Sequence, residues 1–179
     1  AARLLEQGAM CLDWAGHSIT EQRLVLTAIG GYQLEEVLKA SIRLGKHDIP
    51  HSVVYMLEPG RFRAPRSVGE RAHAASATLT AYLYPDSAPA RIFVTHTRPE
   101  TILGVLHPLS TGHAHTACLG FIGQGGTLTT SGMLFVNRCT WAHILEQVSD
   151  VLKMPREELL TGEEIKALDG KASPEGVII

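Results

Sequence analysis

The side chains best suited to chemistry in this sequence are donors that could hold an anion. Gly123-Gln124-Gly125-Gly126-Thr127 is glycine-rich and continues through Thr129, Thr130 and Ser131 toward a helix. Exposed backbone N–H groups at such a turn, flanked by hydroxyls, can cradle a phosphate. The spacing is neither G-x-G-x-x-G nor a P-loop, because the lysine is missing. The same glycines also suit a tight turn that lets the chain pack closely at a sheet end. A second anion candidate is Glu58–Ser67 (EPGRFRAPRS), where Arg61, Arg63 and Arg66 offer guanidinium forks; the alternative there is a set of solvated charges. The candidate anion-binding residues are therefore Gly125, Gly126, Thr127, Thr129, Thr130, Arg61 and Arg63.

Other constellations point away from local catalysis. His107, His113 and His115 crowd one loop, and an H-x-H pair on a strand would put both rings on one face. No carboxylate or cysteine sits beside them, so hydrogen bonding within the loop or packing against a neighbouring domain is expected, and no metal. No Ser-His-Asp, Cys-His or paired-carboxylate spacing is present, and Glu157 with Glu158 reads as a solvated helix face. Cys11, Cys118 and Cys139 are odd in number and far apart, which fits free buried thiols and no disulfide framework. No catalytic residue is expected in this chain.

The elements that must position the donors follow from hydrophobic period. Arg23–Gly31 is a continuous apolar run ending in two glycines, the pattern of a strand buried on both faces of a parallel sheet. Tyr32–Lys46 places Leu34, Val37, Leu38 and Leu44 at helical spacing, with Ala40 and Ile42 widening the stripe. Ser52–Leu57 is a second strand, so a parallel crossover is expected, and Glu58–Ser67 becomes a loop at the carboxyl edge, where open α/β sheets bind ligands. Val68–Leu83 reads as one helix, Arg91–His96 as the third strand, Pro99–Leu106 as a short helix and Ala117–Ile122 as a fourth short strand. In Asn137–Leu152, Trp141, Ile144, Leu145 and Val148 form one stripe that must pack on the sheet. Met154–Leu168 is a second helical segment, and Lys171–Ile179 reads as a tail.

With 179 residues, 45% of them hydrophobic, the chain can bury the core of one domain. A formal net charge of −2 argues against nucleic acid as partner. No apolar run approaches the roughly 18 residues of a membrane span, and no signal peptide opens the chain. A soluble, cytoplasmic protein is expected. The start at AARLL, without methionine, suggests a piece of something longer.

Gly120-Phe121, Gly126-Thr127, Thr129-Thr130, Met133, Asn137 and His143, in that order and spacing, resemble the C-terminal domain of thiamine-diphosphate-dependent phosphoketolases and, more distantly, transketolases. Ala90–His96 (ARIFVTH) resembles the family strand that precedes a histidine, and Gly8–Ala15 (GAMCLDWA) the segment leading into the last domain. Arg138-Cys139-Thr140-Trp141 departs from the acidic-aromatic-His cluster usual before the last helix, and the Pro59–Pro65 loop has no counterpart. The resemblance implies a three-layer αβα sandwich with a mostly parallel sheet, divided as a lead-in segment 1–22, an α/β domain 23–154, and a short helical segment and tail 155–179. It implies a structural, dimer-supporting part of a lyase or transferase of carbohydrate metabolism that acts on ketose phosphates with two-carbon transfer. Thiamine diphosphate and Mg²⁺ would be bound by other domains, since no Gly-Asp-Gly diphosphate motif occurs here. Partners would be those domains or subunits, in a homo-oligomer. The alternative is a stand-alone regulatory module of the same fold that senses an anion; a cut fragment and a split-enzyme subunit stay equally open.

Overall fold

A computed structural model describes residues 2–17, 23–123 and 126–179. In chain order it contains α1 (Ala2–Gln7), β1 (Ala9–His17), β2 (Leu24–Ile29), α2 (Gly31–Lys46), β3 (His51–Met56), α3 (Val68–His73), α4 (Ala77–Leu83), β4 (Ala90–Thr95), α5 (Pro99–Leu106), β5 (Thr116–Leu119), α6 (Thr130–Val136), α7 (Trp141–Leu152) and α8 (Gly162–Leu168). The strands form one sheet in the order β1-β3-β2-β4-β5, parallel except where β1 pairs antiparallel with β3. Helices cover both faces, which makes the expected three-layer αβα sandwich.

Strand alternation divides the core in two. Leu24, Leu26, Ala28, Val53, Ile92 and Val94 face a cluster shared with α2 and α7. Val25, Ile29, Val54, Met56 and Phe93 face the opposite cluster, with Leu83, Tyr84, Ile102 and Leu106. β2 and β4 are buried along their whole length, which is why they read as continuous apolar runs. Arg91, on the second face of β4, is buried and forms no ion pair with a carboxylate among the described residues. It donates to the carbonyls of Leu109 at 2.7 Å and Tyr84 at 3.0 Å, lies 5.5 Å over the Tyr84 ring, and leaves Nε without a partner among the described residues.

Several elements depart from the expectations. Within segment 1–22, residues 9–17 form β1, an edge strand that the sequence pattern does not announce because its burial does not alternate. The helix expected over 68–83 is two helices, since Ser67 and Ser76 each cap one by accepting from an N–H three residues on, at 3.1 Å, and a cap needs extended backbone. On α2 the buried stripe is rotated. Gln33, Glu36 and Ser41 are buried, while Ile42 is exposed.

The helix expected over Asn137–Leu152 begins only at Trp141. Asn137 ends α6, its Nδ2 donating to the Met133 carbonyl and its Oδ1 accepting from Ile122 N–H, both at 2.9 Å, and Arg138 takes a left-handed φ of 57°. Because Thr140 spends its hydroxyl on His143 Nδ1 at 2.7 Å, the carboxylate of Glu36 caps α7 from the neighbouring helix, accepting from Trp141 N–H at 2.7 Å. Ile144, Leu145 and Val148 are fully buried, each contributing about 1.5–3 kcal/mol by removal from water. Trp141 is only half-buried. Its ring lies 5.0 Å under Arg43 and its Nε1 donates to the Ile178 carbonyl at 3.2 Å. Residues 171–179 are therefore packed rather than a free tail, with Ile178 in the first core cluster. Arg43 also grips α8 through Glu164 at 2.8 Å, the residue whose carboxylate completes a capping box with Thr161.

Candidate functional site

β2 lies between β3 and β4, so the chain leaves its carboxyl end toward one side of the sheet and leaves β4 toward the other. At such a switch point the loops diverge and open a crevice. Here the crevice holds about 290 Å³ and is floored by Gln33, Thr95 and His96, with Tyr32, Phe121 and Thr130 on its rim.

Each floor residue is fixed by local geometry. Gly30 follows β2 with φ 119°, a conformation L side chains rarely adopt. A Cβ there would fall 2.3 Å from Gln33 Oε1 and 3.1 Å from His96 Nδ1, so the glycine is what lets the amide and the imidazole approach one another. His96 Nδ1 donates to the Ile29 carbonyl at 3.0 Å, and its backbone N–H donates to the same oxygen at 3.2 Å. A carbonyl only accepts, so Nδ1 carries a proton, and in that tautomer Nε2 is the acceptor. Gln33 is largely buried as a residue and lines the crevice, to which its amide is open. α2 begins at Gly31 with Gly30 as a cap that lacks any side chain. Its first internal bond is Leu34 N–H to the Gly30 carbonyl, so the preceding N–H groups stand open at the positive end of a 16-residue helix.

The wall opposite is stitched in place. Phe121 N–H donates to the Thr97 carbonyl at 3.0 Å, and a Cβ on Gly120 would stand 2.3 Å from that same oxygen. Cys139 adds a thiol whose Sγ donates to the Asn137 carbonyl at 3.3 Å. Burial, aided by Glu36, pushes its pKa up to about 12, so it stays protonated and is no nucleophile. Cys118 is likewise pushed up to about 12, mainly by burial. The crevice thus presents backbone N–H groups, an amide and an acceptor imidazole nitrogen, a polar floor suited to hydrogen bonding, and among the described residues it contains no activated nucleophile.

The residues singled out in the sequence fall in different places. Thr130 is on the crevice rim, whereas Thr129 spends its hydroxyl capping α6 by accepting from Gly132 N–H at 3.1 Å. Gly126 and Thr127 are exposed, and Gly125 lies outside the described residues. Arg61 and Arg63 line a separate depression of about 690 Å³. Arg61 donates to Glu58 and to the Glu6 carbonyl, both at 2.7 Å, and Arg63 pairs with Glu70 at 2.6 Å. Arg66 shares Glu70, and its hydrogen bond chiefly holds that carboxyl down to about 2. These guanidinium groups already have carboxylate partners. His107, His113 and His115 are exposed, and no group of three His, Cys, Asp or Glu among the described residues is arranged to hold a metal. A buried Ser41 Oγ to His51 Nε2 contact of 2.7 Å has the look of a catalytic pair. However, His51 is 1% exposed and Ser41 also accepts from Gly16 N–H, which makes the pair a strut joining β1, α2 and β3.

Gln33 and His96 escaped sequence reasoning because neither belongs to a spaced motif. The signal that marks them is the Gly30-Gly31 step between a fully apolar strand and a helix, together with a second strand ending in histidine.

No protein-family model matches the chain, and no curated protein sequence matches it. Solved structures do. The chain is similar to a transketolase from Leishmania mexicana, with TM-score 0.59 and 13% identity over 87% of this chain and 19% of that one. A transketolase from Campylobacter jejuni gives 0.55 and 15%, over 80% and 18% of the two chains. A transketolase mutant from Pichia stipitis gives 0.58 and 13%, over 86% and 19%. The likeness is one of fold, and the transketolase-like fold expected from the sequence is the fold of this chain. The chain spans under one fifth of the length of these proteins. Among the described residues no helix is long and apolar enough to cross a membrane.

Proposed function

We propose that this chain is the C-terminal domain, or the equivalent separate subunit, of a thiamine-diphosphate-dependent enzyme of the phosphoketolase or transketolase type, where its role is to support the assembly. The observation that carries the reading is a coincidence of two independent features. A fold similar to about a fifth of a transketolase chain occurs in a sequence whose Gly120–His143 stretch has the order of residues seen in phosphoketolase C-terminal domains. In this reading the enzyme cleaves a ketose phosphate and passes on a two-carbon unit. The cofactor supplies the carbanion chemistry from domains elsewhere. The described residues offer no acidic cluster that would fit Mg²⁺, so no step of that reaction is assigned to this chain.

Exposed apolar side chains on the sheet edge and the crevice side support a docking role. Trp14 on β1 is 73% exposed and Tyr32 at the start of α2 is 60% exposed, and side chains of that kind gain most when another surface covers them. The test is reconstitution. Domains carrying a Gly-Asp-Gly diphosphate motif, expressed from the same or a neighbouring reading frame, should bind this chain and release an acyl phosphate or transfer a two-carbon unit from a ketose phosphate only when it is present. Activity unchanged by its omission, or tight Mg²⁺-dependent thiamine diphosphate binding by this chain alone, would overturn the reading.

A further inference from the structure

We infer that the strut of Ser41 and His51 is a proton-sensitive latch, which holds the far end of β1 on β3 while His51 is neutral and releases it when the ring takes up a proton. β1 meets β3 in two separate places. Ala9, Met10 and Cys11 pair with Met56, Tyr55 and Val54, the register then shifts, and pairing resumes only with Gly16 opposite Ser52 and His17 opposite His51. That second contact is short, and a directional chain of hydrogen bonds backs it. The Ile49 carbonyl only accepts, so His51 Nδ1 donates to it at 2.7 Å. Gly16 N–H only donates, and it does so to Ser41 Oγ at 3.2 Å. Ser41 closes the chain by donating to His51 Nε2 at 2.7 Å, which needs that nitrogen bare. Gly16, at φ 99°, is also what allows the strands to close, since a Cβ there would stand 2.6 Å from the His51 carbonyl oxygen.

A proton on Nε2 undoes this arrangement. The imidazolium would donate to Ser41 Oγ, which already accepts from Gly16, and the serine would have to turn its own hydrogen away. A positive charge would then sit on a residue that is 1% exposed. The neighbours do not offset it. β1 brings His17, β2 brings Leu24 opposite His51, and α2 brings the uncharged Ser41. Asp48, from the turn before β3, is exposed and lies 3.5 Å from His17 Nε2, while Lys46 and His47 at the end of α2 are exposed. Burial lowers the proton affinity of His51; the Ile49 carbonyl opposes that, and His17 adds to it. With the folded value below the ordinary 6.5, closure is complete above that pH and is lost as the pH falls. An opened end lets water reach the ring, and the 9–11 pairing has no part in the chain.

Amide hydrogen exchange of the full chain by NMR, expressed as protection factors, tests the latch. Between about pH 6 and pH 5 the protection of Gly16 should fall roughly tenfold, the linkage of one proton to opening. The protected amides among Ala9–Cys11 should stay within about twofold, because the opening is local. His51→Gln, whose carbonyl can accept from Ser41 but takes no proton, should flatten the Gly16 profile, and His17→Gln should leave it sloping. Ring ¹⁵N shifts should show His51 protonated on Nδ1 and bare on Nε2 at neutral pH, a readout that stands even where the His51 variant does not fold. Gly16 protection that ignores pH would overturn the inference. So would an equal loss at Ala9–Cys11, a slope that survives in a folded His51→Gln protein or vanishes in His17→Gln, or a proton found on Nε2.

Discussion

Acidification should destabilise the fold through one histidine whose site is fully described. His143 is the third residue of α7 and 4% exposed. Its Nδ1 is 2.7 Å from Thr140 Oγ1, and its ring centroid is 5.1 Å from that of Phe135. Burial, and then the nearby Arg138 charge, lowers its pKa from 6.5 to about 4. The positive end of α7 acts in the same direction. Since the folded value lies below the unfolded one, the stabilisation is complete above about pH 7.5 and drains away as the unfolded state takes up a proton the folded state refuses. At roughly 1.4 kcal/mol per unit the whole window is about 3 kcal/mol, of which about 2 are lost by pH 5. Urea denaturation of the wild type and of His143→Gln, at intervals from pH 8 to pH 4.5, measures this. The wild type should lose stability more steeply between pH 7 and 5, and the difference between the two slopes isolates His143 from His51, which burial also shifts downward. Parallel curves for the two proteins would refute the reasoning.

Trp141→Ala, in a Trp14→Phe background, should cost about 2 kcal/mol in chemical denaturation. That is below the roughly 3–5 kcal/mol of a fully buried aromatic, because the ring is half-covered by Arg43 and the Ile178 segment. Deleting residues 171–179 in that background should red-shift the Trp141 fluorescence, and an unchanged spectrum would mean that the segment does not pack on the indole. Glu36→Gln should cost about 1 kcal/mol by weakening the cap on α7, read as a lowered urea midpoint with unchanged m. Gly120→Ala should cost about 3 kcal/mol, because the obstacle is the Thr97 carbonyl rather than a side chain that can turn aside; a melting temperature within a degree or two of wild type would contradict the packing described.

The central strands and α2 were legible because a parallel strand buried on both faces leaves no other pattern than an unbroken apolar run, and Leu24–Ile29 and Ala90–Thr95 are such runs. β1 was not, because an antiparallel edge strand with an exposed Trp14 and half-buried Cys11 has neither alternation nor continuity. The α6–α7 break was hidden for another reason. The sequence pattern starts the helix at Asn137, whereas the Asn137 side chain closes α6 through bonds to Met133 and Ile122 that no local period encodes, and α7 starts only at Trp141. Glu58 and Glu70 meet the arginines once the loop after β3 has folded back, a pairing that spacing alone does not announce, and nothing local marks Gln33 as a residue that the switch point buries.

The pairing of β1 with β3, past β2, sets an order of assembly during synthesis. β1 is made first but has no partner until His51–Met56 has been made, and by then β2, α2 and β3 can already form a parallel unit onto which β1 closes as the last strand on that edge. The opposite end of the chain imposes a second wait. α7 is covered on its Trp141 side only when Ile178 arrives, so the apolar stripe of that helix stays partly bare until residues 171–179 have been made. A nascent or truncated chain lacking those final residues is the state in which this fold should depend most on chaperones.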